Sequence, residues 1–319
     1  MNNFSLSRRG LLGAALAGTF PAIAAPARLP VVASFSILAD LTRQVGGDLV
    51  DVTALVGADG DAHVFEPTPR QARELQQARV LVSNGLGFEP WLARLKSAAA
   101  FKGLEIVASQ GIQPRALPAS AHGSDHGHGH AHAHAGTQDP HAWQDVRNAI
   151  VYVQNIARGL ALADAPNADH YRARAADYVA RLGALDARLR AQFAGVPAER
   201  RSVISTHDAF GYFAQAYGLR FIAVRGLSTE SEPSARDMAR LVKQVRDERI
   251  GALFLENISD PRLLQQLARE TGATLGGRLH SDALSAPDGP APTYIDMVQA
   301  NAAVLLKAMA PAAQGAAPR

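Results

Sequence analysis

One order of elements occurs twice in this chain, and that repetition restricts its fold more than any other feature. "LPVVASFSILADLTRQVGGDLVDVTALVG" reads as a short β-rich run, a helical pattern with Ile37, Leu38 and Leu41 on one face, a Gly-Gly stop and a second β-rich run. "ARVLVSNGLGFEPWLARL" gives strand, Gly-rich turn and helix, and "GLEIVAS" adds a further strand. Downstream by roughly 170 residues, "RSVISTHDAFGYFAQAYGLRFIAVRGL" mirrors the first unit and "IGALFLENISDPRLLQQLARETGATLGG" mirrors the second. Alternating strands and helices in two copies predict an α/β protein of two lobes with mainly parallel sheets.

Between the copies, residues 167–193 place Tyr171, Ala175, Tyr178, Leu182, Leu185 and Leu189 at helical spacing. At 1.5 Å per residue such a helix is about 40 Å long, enough to run the height of both lobes. A rigid helical connector predicts a modest change of lobe angle rather than wide closure. The expected layout is therefore a first lobe over 26–166, the connecting helix over 167–193 and a second lobe over 194–312.

The first 25 residues read as an export signal, with Arg8 and Arg9 before the apolar run Leu11 to Ala17 and small residues around Ala24 and Ala25 for cleavage. The apolar run is too short to span a bilayer, and "SRRGLL" leaves the general secretory and the twin-arginine routes both open. Removing the two signal arginines lowers the formal charge from +3 to about +1, so nothing in the balance calls for nucleic acid or an anionic membrane. There is no cysteine, hence no disulfide, no thiolate metal site and no lipid-modified cysteine. These features predict a periplasmic protein whose mature chain is not inserted in the membrane.

Seven of the eleven histidines fall in "AHGSDHGHGHAHAHAGTQDPHAW", residues 121–143. The Gly, Ala and His content of residues 119–138 cannot bury a core, which predicts a surface loop there. A run that alternates histidine with Gly or Ala from His122 to His134 must order itself around each ion at an entropic cost, which makes it a poor principal site.

Ligands bind α/β lobes at the carboxyl ends of parallel strands, so histidines just after apolar strands carry more weight than others. His63 in "GADGDAHVFEPTPRQ" follows the strand ending near Val56, and His141 in "DPHAWQD" precedes a helix. His207 follows "SVIS" and is expected to open the helix "DAFGYFAQAYG", with Thr206 or Asp208 as its cap. Asp282 in "GRLHSDALS" follows the last β-rich segment. Two positions come from each half, and three imidazoles with one carboxylate complete a four-coordinate shell for Zn²⁺. A single loop histidine is more often solvated than ligating, and the convergence of four is what separates the two readings. His280, two residues before Asp282, shares its face if the segment is strand-like, so spacing leaves either residue open as the fourth ligand. Ser205, His207 and Asp208 are too close in sequence to converge as a hydrolytic triad. His170 is expected to be solvated on the connecting helix.

"DAHVFEPTP", "DPHAWQDVRNA", "STHDAFGYFAQAYGL" and "SDALSAPDGPAPTYIDMVQAN" resemble, in order and at family spacing, the signature segments of the zinc- and manganese-binding solute-binding proteins of ABC importers. The resemblance covers essentially the whole mature chain. It implies two lobes joined by one long helix, an ion held between them, and ligands at His63, His141, His207 and Asp282, favouring Asp282 over His280. Members that resemble manganese importers have a glutamate where this chain has His207, and imidazole suits zinc better than manganese. The implied protein captures zinc and hands it to a membrane permease driven by an ATPase, as a monomer and without catalysing a reaction. A periplasmic metallochaperone is a further partner open to such a protein. The rival readings are a manganese importer component, a zinc hydrolase and an adhesin-like surface protein. Glu66, Asp139 and Asp208 are the acids expected to orient the histidine rings, and His-rich loops at this location in zinc-binding members suggest a collector or sensor of zinc.

Overall fold

The computed structural model describes residues 28–116, 138–226, 229 and 233–310. The expected export signal and the histidine run 122–134 lie outside the described residues.

Both copies of the repeated order fold into parallel four-stranded sheets. In the first lobe β1 (Leu29–Phe35), β2 (Val50–Val56), β3 (Val80–Ser83) and β4 (Leu104–Val107) are arranged β2-β1-β3-β4. In the second, β5 (Ser202–Ser205), β6 (Arg220–Ala223), β7 (Ala252–Glu256) and β8 (Thr274–Leu279) are arranged β6-β5-β7-β8, the same topology shifted by four strands. Every strand pairing within these two sheets is parallel. A parallel sheet needs both faces covered, which is why β1 and β3 are nearly continuous apolar runs with almost no exposed position. The crossover helix α1 (Ser36–Gly46) stops at Gly47, whose φ of 56° is open to glycine without the Cβ penalty.

α2 (Pro69–Gln77) and α3 (Leu92–Ala98) complete the first lobe, followed by α4 (Val146–Ala163). The connecting helix α5 spans Ala168–Ala194, and its buried face carries Tyr171, Ala175, Tyr178, Leu182, Leu185 and Leu189, the stripe expected from the sequence, together with Phe193. His170 is exposed on this helix. The second lobe adds α6 (Gly211–Tyr217), α7 (Ala235–Asp247), α8 (Arg262–Thr271) and α9 (Tyr294–Met309).

α5 packs against α1 and α4 of the first lobe and against α6 and α9 of the second. One hydrophobic core therefore runs from the first sheet through α4 and α5 to Phe254, Leu279, Tyr294 and Leu305 of the second lobe. A smaller cluster lies under α7 and α8. Burial of apolar surface at roughly 25 cal/mol per Å² acts across the lobe boundary as well as within each lobe. Directional bonds add to it: Trp143 Nε1 and Gln144 Nε2 donate to the Ser281 carbonyl at 3.0 and 2.6 Å, and the Tyr294 hydroxyl donates to the Trp143 carbonyl at 2.6 Å. Loops that follow the strands of the two lobes meet at this boundary, where the Asp59 backbone N–H donates to the Leu284 carbonyl at 2.9 Å.

Candidate metal centre

Four side chains from four loops converge between the lobes. His63, His141, His207 and Asp282 each offer an atom, and these atoms lie within 4.8 Å of one another. His63 comes from the loop after β2, His207 from the loop after β5 and Asp282 from the loop after β8, while His141 precedes a single 3-10 turn, Ala142–Gln144, that leads into α4. His63 Nε2 and His207 Nε2 lie 3.0 and 3.1 Å from Asp282 Oδ2. His141 Nε2 is 3.3 Å from His63 Nε2 and 3.7 Å from Asp282 Oδ1. An ion with tetrahedral bonds of about 2.0–2.2 Å holds its ligand atoms about 3.3–3.6 Å apart, so the four groups are already close to that spacing. Among the described residues Asp282 Oδ1 is buried without a hydrogen-bond partner, an acceptor whose lone pairs suit a cation.

Local contacts aim each ring. The loop of His63 is pinned by Trp91 Nε1, which donates to the Ala62 carbonyl at 2.8 Å, and by the His63 backbone N–H, which donates to Asp61 Oδ1 at 2.9 Å. Phe88 packs edge-on to the His63 and His141 rings, with centroids 4.9 and 5.9 Å away. His141 Nδ1–H donates to Asp139 Oδ1 at 2.8 Å, a pairing that leaves the Nε2 lone pair facing the centre. For His207 the backbone N–H donates to Glu256 Oε1 at 2.9 Å, and Nδ1 lies 2.5 Å from Glu256 Oε2, an ion pair without hydrogen-bond alignment. His207, His141 and Asp282 side chains are fully buried, whereas His63 keeps 8% of its side-chain surface exposed. Solvent reaches the cluster at His63.

Charge is arranged as tightly as geometry. Burial alone would lower the His207 pKa, but the carboxylates of Glu256 and Asp282 outweigh it and raise that imidazole well above its usual value. Burial alone would raise Asp282, but His207 and His141 hold its carboxyl well below the ordinary range. The two shifts share one cause, the close approach of His207 Nε2 and Asp282 Oδ2 at 3.1 Å.

The expected ring-orienting acids divide. Asp139 does what was expected of it. Glu66 is exposed, and among the described residues Asp208 makes no hydrogen bond to a ring, its backbone N–H donating instead to the Gly226 carbonyl at 3.0 Å. Burial chiefly, with Asp139 nearby, raises the Asp208 carboxyl. Glu256 was missed by sequence reasoning, although it closes β7 at its carboxyl end, the same position that singled out the histidines. The cap expected at Thr206 or Asp208 is absent, because the backbone of His207 and Asp208 is committed to Glu256 and Gly226 and α6 starts only at Gly211. Ser205 Oγ donates to the His207 carbonyl at 3.0 Å and not to its ring, so no hydrolytic triad forms. His280 stays outside the cluster: β8 ends at Leu279, and Asn301 holds the His280 backbone through bonds of 2.8 and 2.7 Å. Burial lowers its imidazole pKa.

Residues 31–308 match the sequence model of the family described as ZnuA, zinc-uptake complex component A periplasmic. The chain is 29% identical over 285 residues to the iron-binding protein YfeA of Yersinia pestis, covering 89% of this chain and 87% of that protein. It is 28% identical over 280 residues to the manganese ABC transporter substrate-binding lipoprotein PsaA of Streptococcus pneumoniae, covering 86% of each. Among solved structures it is similar to the periplasmic zinc-binding protein TroA from Treponema pallidum, with a TM-score of 0.81 and 27% identity over 89% of this chain and all of that one, 100%.

Proposed function

We propose, from the premise that this chain belongs to the family of periplasmic zinc-uptake components, that the ion it carries is Zn²⁺ and that His63, His141, His207 and Asp282 hold it. At the coarser level the chain is the metal-binding periplasmic component of an ABC importer and not an enzyme. Among the described residues no helix is long and apolar enough to cross a membrane. The observation that carries the zinc reading is the donor set: three imidazole nitrogens and one carboxylate whose atoms lie within 4.8 Å of one another. Relatives are named for iron and manganese as well as zinc, so the choice of ion rests on the chemistry of these four groups. Four protein ligands leave no open position for an activated water, which is the feature a zinc hydrolase requires. Native mass spectrometry of protein purified from the periplasm without added metal tests the reading directly. One zinc per principal site is expected; manganese or iron in its place overturns it.

Capture is ligand exchange. The imidazoles and the Asp282 carboxylate displace water from the ion, His207 gives up its proton, and docking on the permease must weaken one or more of the bonds formed. The pH dependence follows from the raised His207 pKa. A group that holds its proton well above the ordinary imidazole value competes with zinc throughout the range below it, at about tenfold in affinity per pH unit. Zinc affinity measured by chelator competition should fall about a hundred-fold or more between pH 7 and pH 5. A flat profile over that range would mean that histidines do not form the shell.

The histidine run is read as an accessory. Deleting residues 122–134 while preserving "TQDPHAW" removes none of the four proposed ligands, so calorimetric titration should retain one tight zinc site, changed by no more than a few-fold, and lose the weaker ones. Zinc loading at scarce metal should slow if the run collects ions. Loss of the tight site on this deletion would put the site in the run itself. A metallochaperone that loads the protein, and export by either route, are compatible with a periplasmic carrier of this kind.

A further inference from the structure

Arg115 is distant in sequence from every proposed ligand, yet it reaches the centre through one intermediary. Its Nη1 donates to Asp139 Oδ2 at 2.8 Å, while Asp139 Oδ1 accepts from both the backbone N–H and Nδ1–H of His141, at 3.0 and 2.8 Å. Asp139 is fully buried and Arg115 only partly so, with 26% of its side chain exposed. A buried carboxylate needs a compensating charge, and Arg115 supplies it from the solvent side. The two oxygens of Asp139 thus have separate duties, one held by the guanidinium and the other aimed at the ring.

The second lobe completes this arrangement. The Arg115 backbone N–H donates to the Tyr212 hydroxyl at 2.9 Å, and that hydroxyl donates to the Asp139 carbonyl at 2.9 Å. Tyr212 and its neighbour Gly211 belong to α6. The guanidinium occupies space that only glycine leaves open: a Cβ on Gly211 would stand 1.9 Å from Arg115 Nη1 and 2.8 Å from Asp139 Oδ2. Gly211 needs no positive φ, so close approach is what excludes a side chain there.

We infer that Arg115 is a positioning residue for metal capture, which fixes the His141 ring through Asp139 while wedged against Gly211 of the opposite lobe. The inference rests on the reading that His141 is a ligand. Its consequence is that the His141 bond is best formed when the lobes are together, because the wedge needs surfaces from both. Separation of α6 from Arg115 frees the Asp139 carboxylate to turn, and the ring it holds turns with it.

Loss of an outer partner of a ligating histidine typically costs about 10–100-fold in metal affinity. Arg115→Ala in the full chain should weaken zinc by that factor, and Gly211→Ala should do the same by displacing the guanidinium while leaving every ligand in place. The double variant should lose less than the sum of the two single losses, since both act through the Arg115–Asp139 pair. Arg115→Lys should recover part of the loss. Cobalt(II) bound in place of zinc should show shifted d–d absorption in Arg115→Ala and Gly211→Ala, a signature that a loss of fold stability alone leaves unchanged. Zinc affinity and cobalt spectra equal to those of the parent in both variants overturn the inference, whatever happens to their melting temperatures. Should Arg115→Ala fail to fold, Gly211→Ala and Arg115→Lys carry the same test. His207→Ala, run alongside, separates two failures: if it abolishes tight binding while the Arg115 and Gly211 variants do not, only this inference falls, and if it too is silent, the four-ligand reading falls first.

Discussion

Competitive titration against a chromophoric chelator should find Zn²⁺ bound at least about three powers of ten more tightly than Mn²⁺. The reason lies in what surrounds position 207. Its imidazole brings a third nitrogen to the proposed shell, and nitrogen donors rank zinc far above manganese, whereas an oxygen-rich, higher-coordinate shell suits the harder ion. The protein also spends a buried carboxylate, Glu256, on the far side of that ring, 2.5 Å from Nδ1. An anion in that position stabilises an imidazole and would repel a carboxylate, so the shell is built around histidine and not merely tolerant of it. Phe88 and Trp143 pack beside His63 and His141, with ring centroids 4.9 Å from His63 and 5.3 Å from His141, so the faces next to these two rings are apolar and offer no oxygen ligand. Equal affinities for the two ions would sink the zinc assignment while leaving the four-residue site standing.

Much of this was legible in the sequence because it depends on periodicity. The stripe from Tyr171 to Leu189 could be read as one helical face, since burial on a helix repeats every three to four residues and α5 buries those positions. The duplicated strand and helix order gave two parallel sheets for the same reason. The candidate site was legible because function in an α/β lobe concentrates at the carboxyl ends of strands, and His63, His207 and Asp282 stand there. Contacts between distant segments were not legible. Glu256 sits at the end of an apolar strand, but its partner His207 is 49 residues away in sequence, and only the β5–β7 pairing brings them together. Glu66 was one of the acids expected to orient a histidine ring, yet Phe65 packs against Trp91 at 4.9 Å and Glu66 is exposed. The rule that alternate residues share a face failed at His280 and Asp282, because the strand ends between Leu279 and His280 and its period ends with it.

Replacing His207 with alanine should weaken zinc binding at least about a thousand-fold, beyond the roughly 10–100-fold that loss of an outer hydrogen-bond partner costs. Two effects act in the same direction. A nitrogen ligand disappears from a shell of four, and the Asp282 carboxylate loses the nearer of its imidazole contacts on the buried side, where His207 Nε2 lies 3.1 Å away. Glu256 is left without the His207 imidazole in a fully buried position, which costs the metal-free protein as well, so affinity and stability must be measured separately. His63→Ala is the informative companion. His63 is the one proposed ligand that solvent touches, at 8% side-chain exposure, so a water can enter the space its ring leaves and occupy the vacated coordination position. Its loss should therefore be the smaller of the two, and it should speed dissociation through the solvent-facing side more than it slows capture. Calorimetric titration of both variants should retain the weak sites attributed to the histidine run 122–134, since neither substitution touches it. If His207→Ala keeps tight zinc binding while deletion of that run abolishes it, the four converging groups are a buried polar cluster and not the place where this protein holds its ion.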